Sequence, residues 1–298
     1  MADRLLNLAC VSYLATAQVL HVRAYPRANG GAVVDAIAAS VAGDGPLTAV
    51  TAARTGLTVA LVTNRIGDDP AGHHLLAALN TANVRHTLHP DPNVRTPHLT
   101  VIADEADTRT WFAALHHAYD DLHQADLTPI AQANIGYVDC YQVLTHHAAR
   151  AITAADGTGL VLNLGGDPLT DVIAEAATSA RVLAVQTSLD ESADADAEDL
   201  ATHLYDQVRP DAAVVTLGQL GAVARTRHRL HRASAPPGPV THTHGAGAAF
   251  SAGYIHALLH GGDADAALRA GCQAGTAHCA TSAALVPHHL PLQRPAPV

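Results

Sequence analysis

The loop Val240-Thr-His-Thr-His-Gly-Ala-Gly-Ala-Ala-Phe-Ser-Ala-Gly253 holds the residues best suited to chemistry. Pro236, Pro237 and Pro239 exclude a helix before it, and from Ala248 onward small and apolar residues permit one. A loop that opens directly into a helix leaves backbone N–H groups unpaired, with the positive end of the helix dipole behind them. Gly245, Ala246, Gly247 and Ala248 are therefore expected to form an anion hole, because two glycines let the backbone approach a phosphate closely. His242 and His244 alternate, so an extended chain would put both on one side as acid, base or ligand groups. Composition accounts for them as well: the chain has 21 histidines, including the pairs His73-His74, His116-His117, His146-His147 and His288-His289. Adjacent side chains do not face one way, so these pairs make no zinc site.

Positioning such a loop calls for a framework. Leu5 to Val11, Leu57 to Thr63, Ala133 to Cys140, Gly159 to Leu164, Arg181 to Gln186 and Ala212 to Thr216 read as buried strands. Pro46 suits the first turn of a helix over Leu47 to Arg54, and Gly43 and Gly45 allow a tight turn against a ligand. A helix follows Arg65 to Gly72 and runs through Asn80. Asp167 with Pro168 predicts another helix start, and Asp263 to Ala284 a helical pair. This strand and helix alternation is that of a doubly wound sheet. Gln18 to Tyr25 and Val33 to Ile37, with Leu99 to Ala103 and Arg109 to Phe112, read as shorter strands. Trp111 and Phe112 are expected to pack inward. The acidic run Asp190 to Asp199 reads as a solvated helix start rather than a metal site.

Composition narrows the function. Hydrophobic residues are 48% of the 298 and charged residues 15%, far from a disordered profile. The formal net charge is -10 and no lysine occurs, which argues against nucleic acid as a partner and excludes Schiff-base and Walker-type P-loop chemistry. No apolar run is long enough for a membrane span, and the start of the chain lacks the pattern of a secretory signal, so a cytoplasmic protein is expected. Cys10, Cys140, Cys272 and Cys279 form no CxxC pair and are expected as structural thiols.

Three motifs, in order and correctly spaced, resemble the ribokinase or PfkB-type sugar kinases. The Val240 to Gly253 segment is similar to that family's D-T-T-G-A-G-D-A-F signature. Ala42-Gly-Asp-Gly-Pro-Leu-Thr-Ala-Val-Thr-Ala-Ala-Arg-Thr-Gly56 resembles its G-G-K-G-A-N-x-A-x-A-x-A-R-L-G. Ala212 to Ala222 matches its strand and T-x-G-x-x-G turn, with Thr216, Gly218 and Gly221 in place. The resemblance implies one ribokinase-like domain over 1-298: three-layer α/β/α, a mostly parallel central sheet, a small β lid at about 12-40 and 95-112, and an irregular tail over 287-298.

It also implies site roles. Gly245 to Ala248 would hold the transferring phosphate; Thr216, Gly218, Gly221, Gln186 and Ser188 would serve a nucleotide; Ala17, Gly43, Asp44, Gly45 and Leu47 would line the substrate pocket. The family's cofactors, ATP or ADP with Mg²⁺, would follow, with a small-molecule substrate and a homodimer formed through the lid. Several family side chains are replaced. The catalytic Asp position is Ala248, the first Asp of the signature is His242, the sugar-gripping Asp falls on Ala17, the Lys is Asp44 and the Asn is Leu47. In the metal motif N-x-x-E, strict register gives Gln186 and Leu189, and a shift of two gives Ser188 and Glu191, so no metal ligands are assigned. Three readings stay open: a kinase-derived binding protein with little phosphoryl transfer; an enzyme repurposed around His242 and His244; and an active kinase with His244, Asp68 or another carboxylate as substitute base.

Overall fold

The computed structural model describes residues 6–104, 109–115 and 117–281. The chain opens with β1 (Leu6–Val11), then β2 (Ala15–Val22), β3 (Val34–Ala42), α1 (Asp44–Arg54) and β4 (Val59–Val62). Next come β5 (Ile66–Gly67), α2 (Pro70–Thr81), β6 (Pro90–Asp91), β7 (His98–Ala103) and β8 (Arg109–Ala114). The middle holds α3 (Ala118–Gln124), α4 (Thr128–Gln132), β9 (Ala133–Asp139), α5 (Thr145–Thr153), β10 (Gly159–Asn163), α6 (Asp171–Ala177) and β11 (Val182–Ser188). The last part is α7 (Ala197–Val208), β12 (Ala212–Thr216), β13 (Ala222–Thr226), β14 (Leu230–Ala233), α8 (Ala246–Leu259) and α9 (Ala264–Cys279).

Eight strands form the main sheet in the order β14-β13-β12-β11-β10-β9-β1-β4. From β4 to β12 every pairing is parallel, and β13 and β14 close one edge antiparallel. Side chains alternate across this sheet as a two-residue period requires. Leu8, Cys10, Ile135, Tyr137 and Val161 pack with residues of α1, α2, α8 and α9. Ala9, Val11, Val138, Leu160 and Leu162 pack on the other face with α5, α6 and α7. The result is the expected helix, sheet, helix layering. All four cysteines are buried, and none is in a disulfide.

A second sheet runs β3-β2-β7-β8 over residues 15–22, 34–42, 98–103 and 109–114. Its strands fall largely in the segments expected to form a lid, with one difference. Trp111 is 58% exposed and Phe112 56%, so neither is packed away; both stand on β8, the outer strand of this sheet.

Two helix boundaries also differ from expectation. The helix expected at Asp167 and Pro168 starts at Asp171, because the Thr170 hydroxyl caps the N–H of Ile173 (3.4 Å) while the Asp167 carboxylate accepts from the N–H of Gln142 (2.8 Å). The segment after Asp263 is one helix rather than a pair: α9 ends at Cys279 and packs along α8. The expected irregular tail over 287-298 lies outside the described residues. No helix among the described residues is long and apolar enough to cross a membrane.

Candidate ligand-binding cleft

Parallel strands open a crevice beyond their carboxyl ends. Here β1, β9 and β10 lie side by side, pairing Val11 with Val138 and Asp139 with Asn163. Ser12, Asp139 and Asn163 therefore converge where α1 begins. Gly43 enters α1 at φ +98, where a Cβ would overlap the Tyr13 carbonyl, and a Cβ on Gly45 would overlap Ser12. Only glycines admit this helix so close to the strand ends.

Asp139 is buried and accepts from the Ser12 hydroxyl (2.5 Å), the Gly45 N–H (2.8 Å) and Asn163 Nδ2 (2.9 Å). Asn163 Nδ2 also donates to Asp44 Oδ2 (3.1 Å), which accepts from the Tyr141 hydroxyl (2.7 Å). One amide thus bridges two carboxylates. Burial, and then the charge of Asp44, push the Asp139 carboxyl well above the usual carboxylate range, against the pull of its hydrogen bonds. Burial, and then the charges of Asp139 and Asp44, raise the Tyr141 hydroxyl.

Beside this network lies a cleft of about 360 Å³. Asp44, Asn163, Gln186, Ser188, Thr216, Gly247, Ser251 and the lid residue Trp111 all line it. Of the residues expected from sequence, Asp44, Gln186, Ser188, Thr216 and Gly247 come together here. The Ser251 hydroxyl donates to Gln186 Oε1 (2.7 Å), and Gln186 Nε2, buried, has no hydrogen-bond partner. Ser188 donates its hydroxyl to the Gly165 carbonyl.

The first turn of α8 brings Gly247 to the cleft. Gly245 sits at φ +81, and the Ala246 N–H is taken by the Thr243 carbonyl (3.2 Å). The N–H groups of Gly247 and Ala248 meet no such carbonyl among the described residues, and nothing lies within 4 Å of a Cβ placed on Gly247. Ala248 itself is fully buried.

The remaining expected residues stand outside the lining. Ala17 and Leu47 are buried in the lid and main cores. Gly218, at φ +51, turns beside Glu191, whose carboxylate accepts from the Gln219 N–H (2.7 Å); Gly221, at φ +99, abuts the Ala233 carbonyl. The His242 ring meets that of His278 edge-on at 5.0 Å, and burial followed by His278 lowers its pKa. His244 Nε2 lies 3.1 Å from the Val41 carbonyl oxygen. Among the described residues no three His, Cys, Asp or Glu side chains converge as a metal set. A smaller crevice of about 280 Å³ between β11 and α7 shares Thr187 and Ser188 but contains none of the α8 amides.

Asp139, Asn163 and Tyr141 were not singled out from sequence. The available signal was a lone carboxylate and a lone amide each ending a predicted parallel strand, the position where such sheets bind ligands.

The chain belongs to the pfkB family of carbohydrate kinases, whose model matches residues 7–288. The comparison with curated proteins gave no match. Among solved structures, a microbiome-derived acarbose kinase is 22% identical with TM-score 0.71, covering 93% of each chain. The ribokinase of Thermotoga maritima is 14% identical with TM-score 0.72, covering 93% of this chain and 94% of that one. An Arabidopsis thaliana ribokinase complexed with ribose and ATP is 17% identical with TM-score 0.69, covering 94% of each. At these identities the likeness shows the fold, which is ribokinase-like.

Proposed function

We propose that this chain binds a small hydroxylated molecule together with a nucleotide or other phosphate-bearing ligand in the cleft, and transfers phosphoryl groups slowly. The observation that carries this reading is the first turn of α8, where the amides of Gly247 and Ala248 remain available while position 248 bears only a methyl group. Such amides, with the helix dipole behind them, favour a phosphate. The orphaned Gln186 Nε2 in the same cleft supplies a further donor.

Phosphoryl transfer depends on positioning, charge neutralisation and a group that takes the nucleophile's proton. A general base contributes about a hundred- to ten-thousand-fold, or about 3 to 5 kcal/mol of barrier. ATP or ADP would rest against Gly247, Ala248 and Gln186. The fit to Mg²⁺ is poorer: the Leu189 side chain has no oxygen, and Glu191 is engaged by the Gln219 N–H. The side chains at hand leave the histidines poor bases for the cleft, since neither His242 nor His244 lines it.

One observation favours a second reading, an active kinase with a displaced base. Asp44 lines the same cleft as Gly247, and its Oδ1 has no hydrogen-bond partner among the described residues. The two readings separate in one assay. Under the first, ADP raises the melting temperature but Mg²⁺-ATP with a panel of sugars yields little ADP. Under the second, ADP release is brisk and lost in Asp44→Asn.

A further inference from the structure

One carboxylate, that of Asp44, lines the cleft, and a second, Asp139, is buried beside it. Both oxygens of Asp139 are committed, to Ser12 and Gly45 on one side and Asn163 on the other. Asp44 shares the Asn163 amide and takes the Tyr141 hydroxyl on Oδ2, which leaves Oδ1 for an occupant. No Arg or His forms an ion pair with either carboxylate among the described residues, and the chain contains no lysine. An acidic residue in the first turn of a helix is ordinary, but the helix end supplies only about half a positive charge, and Asp139 already takes the Gly45 N–H. With burial pushing the Asp139 carboxyl toward its neutral form, the charge that remains is that of Asp44, which the helix end offsets only in part.

Two independent features of the cleft point to an occupant. Gln186 is 3% exposed, lines the cleft and holds a donor with no partner, a buried orphan that an acceptor on a ligand would satisfy. Trp111 lines the same cleft with its indole 58% exposed. An open indole and a carboxylate lining one cleft suit an ammonium, which the ring face attracts and the carboxylate neutralises.

Resting on the reading that this cleft is the ligand site, we infer that its small molecule is a polyhydroxylated amine, an amino sugar or aminocyclitol. Its ammonium sits between Asp44 Oδ1 and the Trp111 ring, and a hydroxyl or phosphate oxygen accepts from Gln186 Nε2.

Three matched probes test this on the full chain: D-glucosamine, D-glucose and D-glucuronate, titrated calorimetrically near neutral pH with and without ADP. The expected order is glucosamine tighter than glucose by at least about tenfold, with glucuronate weakest. Asp44→Asn, which keeps an acceptor for the Tyr141 hydroxyl, should bring the glucosamine-to-glucose ratio close to one. Trp111→Ala, at an exposed position, should weaken glucosamine more than glucose. Equal affinities, tighter glucose, no binding of any of the three, or a preference that survives Asp44→Asn would each overturn the inference. An ADP response without amine preference sinks this inference alone, and amine preference without any ADP response sinks the nucleotide reading alone.

Discussion

Asp139 shows how a single group can carry both stability and charge. Its carboxyl is buried and held above its ordinary range by burial and by Asp44, so the folded protein keeps a proton that the unfolded chain has released. The sign follows: this group's contribution is full below the ordinary carboxylate range and falls as pH rises toward the elevated one. Melting temperature should therefore decline through that window in the native protein, and Asp139→Asn should flatten the decline. A slope unchanged by the substitution would remove Asp139 as its source. Asn163 sits between the two acids, and replacing it with Ala removes the shared donor while leaving both. We expect a loss of about 1–3 kcal/mol in denaturant unfolding near neutral pH. These residues were hard to find in the sequence because Ser12 and Asp139 are 127 positions apart and join no motif.

Elements decide where those side chains can stand. The start of α1 lies against Ser12 and Asp139 only because Gly43 and Gly45 carry no Cβ. Gly45→Ala should force the helix away from the strand ends, costing about 1–3 kcal/mol of stability and weakening any ligand held by Asp44; matched unfolding and titration curves would show both. The glycines and Pro46 made this helix legible from sequence, although it begins at Asp44, earlier than the apolar residues suggested. Asp167 and Pro168 offered an equally plausible start for α6, yet Asp167 is spent on Gln142 and the cap falls to Thr170. Competition of that kind depends on a tertiary partner. Trp111 and Phe112 misled for a related reason: their size suggests burial, but they stand on the outer strand of the lid sheet and stay more than half exposed.

At the scale of the whole molecule, the fold was legible because the apolar strands, the intervening helices and three spaced turns all agree on one layered architecture. Function was less so, since a scaffold shared by many proteins fixes where a ligand lies but not what is done to it. The cleft joins the lid, the ends of β10, β11 and β12, and the start of α8, so its charge and its amides belong to the assembled chain. The most direct measurement is the rate of ADP formation from Mg²⁺-ATP with an amino-sugar acceptor, for the native protein beside Ala248→Asp. The account predicts ADP binding by both, native turnover far below the roughly 1–100 s⁻¹ of ordinary kinases, and a rise of about a hundredfold or more when the carboxylate is supplied. Native turnover within that ordinary range, or an Ala248→Asp protein that binds ADP and gains nothing, would contradict it.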